Sequence, residues 1–270
     1  MIFGLGMILM RTPIFQIDAF TNRRFAGNPA AVMPMSSFPA DAVLQAIAAE
    51  NNLAETAFLV PRGGDYHLRW FTPTTEVPLC GHATLASAAV VMERLEPQRR
   101  QVVFQSASGP LTVNRTDAGY VMDFPARASE RVSTPPELTT ALGVAPIEVT
   151  TNSRDYLALM ENAEVLRALA PDMAAIARIE RSGVIVTAPG EEGFDFISRY
   201  FAPAIGVPED PVTGSVHCML APYWAKRLNK MTFRAFQASR RGGEMICRVV
   251  GDRVELEGTI VFYLEGEVEI

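Results

Sequence analysis

The chain has 270 residues, of which 49% are hydrophobic and 20% charged, a globular profile that excludes both a disordered chain and one built on the long apolar run of a membrane span. With 24 Lys and Arg against 30 Asp and Glu the net charge is −6, and no basic face is evident that could neutralise a phosphate backbone, so nucleic acid is not an expected partner. Three cysteines, Cys80, Cys218 and Cys247, show no CxxC spacing; an odd number argues against a secreted disulfide framework and fits a reducing cytoplasm.

The N-terminal MIFGLGMILM is apolar but lacks a basic leader and a cleavage site, and it is too short to span a bilayer. It reads as an untidy start, with Met7 or Met10 as alternative initiators, or as an extra edge strand. Ile14 to Asp18 alternates as a strand, TNRRFAGNP from Thr21 is turn chemistry, and Ala30 to Met33 is a second short strand. Pro39 and Asp41 open a helix to about Glu50 whose apolar positions Val43, Leu44, Ile47 and Ala48 share one face, and Asn51 and Asn52 stop it. Strands are predicted over Thr56 to Val60 and Tyr66 to Phe71, with a turn between them. The helix after Gly81 is apolar on nearly every side and should be surrounded by structure. Strands follow at Val102 to Gln105, Leu111 to Asn114 and Tyr120 to Phe124, and Pro125 to Pro136 has linker composition.

The second half then replays the first. Arg69, Trp70, Phe71 and Pro73 answer to Arg199, Tyr200, Phe201 and Pro203 at an offset of 130, and Glu76, Pro78 and Gly81 answer to Glu209, Pro211 and Gly214 at 133. FPAD at 38–41 resembles LAPD at 169–172, each opening a helix, and FQSASGP from Phe104 resembles FQASRRGG from Phe236. A repeat over most of both halves predicts two similar units, residues 1–125 and 126–270, each an α/β mixed sheet curled round a central helix, with Gly81 and Gly214 facing a shared cleft that suits a small-molecule substrate. One sheet running through both halves is the alternative.

Two helices that begin at glycine turns each offer free backbone N–H groups and a positive dipole end, each contributing roughly 0.3–1 kcal/mol toward an anion. His82 and Ser215 directly follow the two glycines, which places both at the cleft mouth; a cap and a hydrogen-bonded loop histidine are the plain structural readings. Glu55 sits at the lip of an apolar strand where Ala54, Ala57, Phe58 and Leu59 offer it no counter-charge, which suits a general acid/base, although a solvated glutamate is the commoner outcome for a lone carboxylate. Asp210 stands in EDPVTGS where the first copy has Val77, an asymmetric carboxylate in a symmetric motif that a turn before proline also explains. His67 and His217 read as strand-surface and helix histidines, and Arg241, Gly242 and Gly243 first as a hairpin turn. No metal-ligand spacing, phosphate loop, GxGxxG or GxSxG occurs. Cys80 answers to Thr213, not to a second cysteine, and Cys218 lies five residues later; a two-thiol racemase needs both acids, so that chemistry is disfavoured.

FQIDAFTNRRFAGNPAAVMP, NNLAETAFLVP, RWFTPTTEVPLCGHATLASAAVV, GVPEDPVTGSVHCMLAPYWAKRL and QASRRGGE together resemble the PhzF-like family, phenazine biosynthesis proteins within the diaminopimelate epimerase fold. The resemblance runs from about Ile14 to the C-terminus. It implies two pseudo-symmetric barrel-like domains with a central helix each, a homodimer, and no cofactor. It also implies Glu55 as the acid/base of an isomerase, with His82, Asp210, Ser215 and the Gly81 backbone beside it; Gly214, Cys80 and Thr213 are the remaining expected substrate contacts. Two other readings stay open, an amino-acid epimerase that uses Cys80 and a small-molecule binding protein without turnover.

Overall fold

The computed structural model describes residues 11–270; the reading of residues 1–10 lies outside them. In chain order the first half comprises β1 (Arg11–Ala19), β2 (Asn28–Pro34), α1 (Asp41–Asn51), β3 (Glu55–Arg62), β4 (Asp65–Phe71), β5 (Glu76–Val77), α2 (Gly81–Val90), β6 (Gln101–Ser106), β7 (Gly109–Arg115) and β8 (Tyr120–Pro125). The second comprises β9 (Glu130–Val132), α3 (Pro136–Leu142), β10 (Glu148–Thr151), β11 (Asp155–Leu159), α4 (Ala163–Ala168), α5 (Met173–Ile176), β12 (Gly183–Pro189), β13 (Phe196–Phe201), α6 (Gly214–Leu228), β14 (Thr232–Gln237), β15 (Gly243–Val250), β16 (Arg253–Gly258) and β17 (Ile260–Glu269).

The strand pairings repeat. From β1 through β2, β3, β4, β6 and β7 to β8 the neighbours are antiparallel, parallel, antiparallel, parallel, antiparallel and antiparallel. From β10 through β11, β12, β13, β14 and β15 to β16 the same order recurs. The two runs join where β8 pairs antiparallel with β16. Hydrogen bonds therefore connect the 17 strands of the described residues into one network.

What makes each run close around a helix is burial. Helix α2 is buried from His82 to Val90, and it touches strands from both ends of its run, β1, β2, β3 and β8. A helix in contact with both edges of a sheet must be enclosed by that sheet. Helix α6 is held the same way in the second run, where Trp224 stacks on Phe196 of β13 at 5.6 Å and donates its indole N–H to Thr187 of β12. Some strands are buried on their outer faces too. In β12, Ile185 belongs to the inner core, while Val184, Val186 and Ala188 pack outward beneath α3, α4 and α5. The alternation that puts successive side chains on opposite faces thus feeds two apolar layers.

Local signals act as their chemistry requires. Leu44 and Ala48 form the buried stripe of α1, and Asn52 ends it in the left-handed region at φ 48°, a conformation Asn tolerates. Asp172 caps α5 by accepting from the Ala175 amide at 3.0 Å. The Pro125–Pro136 segment is not wholly a linker, because β9 forms within it and pairs with β10. An otherwise open strand edge is satisfied by the nearest available backbone. Among the described residues no helix is long and apolar enough to cross a membrane.

Candidate active site

Helices α2 and α6 start almost in contact. A side-chain carbon placed on Gly81 would lie 3.7 Å from the Gly214 Cα, so glycine at both positions lets the two N-termini and their unpaired amides converge. Around that point the fold gathers Glu55 from the start of β3, Cys80 and His82 from the entry to α2, and Asp210 and Thr213 from the entry to α6. Ser215 follows Gly214 in the first turn of α6 and is half-buried.

The expectation that Glu55 lacks a counter-charge is corrected: His82 Nε2 lies 3.1 Å from Glu55 Oε2, and both side chains are largely buried. Chain neighbours are apolar, but α2 delivers the imidazole from 27 residues away. The approach is close without being well directed, so Glu55 Oε2 and His82 Nε2 both remain without an aligned hydrogen-bond partner. Burial opposes charging of the ring, yet Cys80 and Glu55 together outweigh it and raise the His82 pKa well above the ordinary value. Cys80 lies 3.4 Å from His82 Nδ1. Burial and the nearby Glu55 push its thiol up to about 11.

Asn28, read from the sequence only as part of a turn, is the hub of this network. Its side chain is fully buried, and Nδ2 donates to Asp210 Oδ1 at 2.7 Å and to the Val212 carbonyl at 2.9 Å, with His82 Nδ1 at 3.1 Å. An amide nitrogen carries two hydrogens, so the two oxygens are its principal acceptors. Asn28 Oδ1 is left without a partner. Thr213 Oγ1 donates to the other Asp210 oxygen, and Gln237 braces both residues, donating to the Asp210 carbonyl at 2.8 Å and accepting from the Thr213 amide at 2.8 Å.

The loop that delivers Asn28 is strained, with Phe20 and Phe25 at φ 61° and 68°, a region costly for aromatic residues. Gly27 sits at φ 66°, where a side chain would meet the Ala19 carbonyl at 2.2 Å. Buried Asp18 restrains the loop by accepting from the Phe25 amide at 2.9 Å and from Arg241 at 2.7 Å, while Arg241 also donates to the Gly27 carbonyl at 2.8 Å. The anion that Arg241 binds is therefore within the protein. His217 is a helix histidine as read: Nδ1 donates to the Thr213 carbonyl at 2.8 Å, and burial lowers its pKa to about 4.

Glu55, Cys80 and His82 have potential ligand atoms within 4.8 Å of one another, but they do not suit one cation. The imidazole stands between the other two, with the thiol at Nδ1 and the carboxylate at Nε2, and the two ring lone pairs diverge. The site fits proton exchange better than chelation.

Burial also raises the Asp210 pKa to about 6 from an ordinary 3.8, against the lowering effect of His82. A carboxyl raised in the folded state favours folding in its protonated form, so its contribution is full below about 4 and is lost as pH rises toward 6. Urea titrations of wild type and Asp210→Asn across pH 4 to 7 are expected to differ in slope over this window, the variant being the flatter; parallel curves would assign the ionisation elsewhere.

The family model for phenazine biosynthesis-like proteins, PhzC-PhzF, matches residues 17–266. The chain belongs to this family. A PhzF family protein from Enterococcus faecalis has a crystal structure that superposes with a TM-score of 0.94 at 43% identity, covering 97% of this chain and 100% of that one. A curated relative from Pseudomonas aeruginosa, named an uncharacterized isomerase, is 49% identical over 261 residues, 97% of this chain and 100% of the relative. This PhzF-like chain is accordingly an isomerase. A hydroxyproline epimerase from Agrobacterium vitis, 10% identical, superposes with a TM-score of 0.63 over 96% of this chain and 93% of that one; at that distance the likeness is one of fold, the diaminopimelate epimerase-like fold.

Proposed function

We propose that this PhzF-like protein is a cofactor-independent isomerase that moves a proton on a small carboxylated, amino-bearing or unsaturated molecule, with Glu55 as the acid/base. The observation that carries this reading is the cluster of three buried polar atoms without aligned partners, Asn28 Oδ1, Glu55 Oε2 and His82 Nε2. Unpaired buried polar atoms cost about 1–3 kcal/mol each, and a substrate presenting both donors and acceptors would satisfy them. Glu55 would take a proton activated by an adjacent π system and return it elsewhere on the molecule, its charge balanced by His82. The amides at Gly81 and Gly214 would stabilise the enol-like oxygen, with Ser215 holding a further oxygen. Asp210 and His82 would orient an amine or hydroxyl, and Cys80 and Thr213 would line the pocket. The two units, 1–125 and 126–270, would meet at this cleft, and the protein would act as a homodimer, which sedimentation analysis would reveal as twice the 29.5 kDa chain mass.

The test is incubation with cyclic and unsaturated amino acids in deuterated water. Deuterium should enter a carbon position of at least one of them; a broad panel without incorporation refutes the proton shuttle. An epimerase that relied on Cys80 would lose activity in Cys80→Ala. With its thiol pKa near 11 Cys80 is a poor base, and the variant is expected to keep activity within about threefold of wild type, since no proton passes through the thiol.

A further inference from the structure

The two halves share one pairing pattern, so each position in the first has a counterpart in the second. Where β2 runs parallel to β3, Ala30 faces Glu55; where β11 runs parallel to β12, Asp155 faces Gly183. Gly183 thus stands in the place of Glu55, and Arg154 and Asp155 stand in the places of Pro29 and Ala30. The carboxylate of the first half has no equivalent, and the space is filled: a side chain on Gly183 would lie 2.4 Å from the Tyr200 hydroxyl. That hydroxyl donates to Asp155 Oδ1 at 3.0 Å. The backbone carbonyl of the same Tyr200 accepts from the Asp210 amide at 3.1 Å, so the cluster is fastened directly to the site described above.

Arg154 belongs to this cluster. Its Nε lies 3.5 Å from Asp155 Oδ2, yet 36% of its side chain is exposed against 2% for Asp155. The approach through Nε leaves the outer edge of the guanidinium uncommitted to Asp155. Near Glu55 the charges are already matched by His82. Arg154 is then a cation of the opposite half-site with an open edge.

We propose that Arg154 binds the substrate carboxylate, and that Tyr200 and Asp155 position its guanidinium for that contact. This rests on reading the cleft as an isomerase site and narrows its substrate class to carboxylates. The planar fork of arginine matches a carboxylate through two parallel N–H···O bonds, which a lysine cannot reproduce.

The probes are anthranilate and its uncharged carboxamide, anthranilamide, with binding measured by calorimetry on the full-length protein. Wild type should prefer the carboxylate by on the order of 10- to 100-fold, the range of a charge-assisted contact. Arg154→Met should reduce the preference to within about twofold, Arg154→Lys should restore only part of it, and Glu55→Gln should leave it in place. Because Arg154→Met leaves Asp155 buried beside an apolar side chain, the double variant Arg154→Met/Asp155→Asn, which has no unpaired carboxylate, repeats the measurement in a fold without that penalty. Retention of the preference in both variants, or its absence in wild type, overturns the assignment. If Glu55→Gln still exchanges substrate protons with solvent while Arg154→Met loses the preference, the anchor stands and the acid/base reading falls.

Discussion

Glu55→Gln is expected to slow exchange of substrate protons with solvent by about 10²- to 10⁴-fold, the range that a positioned acid/base contributes. The substitution keeps the shape of the side chain and an oxygen 3.1 Å from His82 Nε2, and removes only the capacity to take a proton. Because the carboxylate is the charge partner of the buried His82 imidazole, the isosteric amide is expected to lower the urea midpoint as well, most where the imidazole is protonated. The two roles still separate: a fall in stability with full activity of the folded protein would make Glu55 only a structural ion-pair partner, whereas a fall in exchange of about 10²- to 10⁴-fold by protein that remains folded makes it the proton carrier. His82 should respond differently. Its pKa lies well above the ordinary 6.5, so its ion pair stabilises the fold up to that ordinary value and is lost as pH rises through the folded-state pKa.

Asn28→Leu is expected to cost about 2–4 kcal/mol of stability and to abolish activity. Leucine occupies a similar volume but supplies no donor, which strands Asp210 Oδ1 and the Val212 carbonyl; each stranded buried acceptor costs about 1–3 kcal/mol. Asn28→Asp puts a second carboxylate where the amide met Asp210 at 2.7 Å. Like charges at that separation are strongly unfavourable in a buried site, so this variant should be the less stable of the two at pH 8 and recover as the pair takes up a proton at lower pH. Denaturant unfolding at both pH values measures the difference. Equal stability of all three proteins would show that Asn28 is not the hub the hydrogen bonds make it.

The sequence announces what is periodic and local. Repetition of the RWFTP and RYFAP segments, each leading through a glycine into an apolar helix, foretells two strand–turn–helix units, and the all-round apolar face after Gly81 foretells the burial of α2. Residues that act through distant partners are not legible in this way. Asn28 looks like any asparagine before proline until β1, β2 and α6 bring Asp210 to it from 182 positions away. Arg241 reads as a turn residue for the same reason, since Asp18 lies 223 positions earlier. Glu55 was legible as an acid in an apolar setting, and its resemblance to a family supplied its expected role, but its pairing with His82 depends on how α2 enters the cleft. The short β9 within a linker-like stretch has no pattern of its own and exists because β10 offers it an edge.

The strands that follow each run do not stay with it. After β8 the chain crosses to pair β9 with β10 of the second run, and after β16 it returns so that β17 lies along β1 over nine residue pairs, from Arg11 against Glu269 to Ala19 against Ile260. During synthesis β1, the first strand of the described residues, therefore waits with one edge bare until β17, Ile260–Glu269, has left the ribosome. A nascent first half is an exposed-edge intermediate of the kind that chaperones shield. Deleting β17 should trap the chain in that state, turning a change after Gly258 into a folding defect at β1.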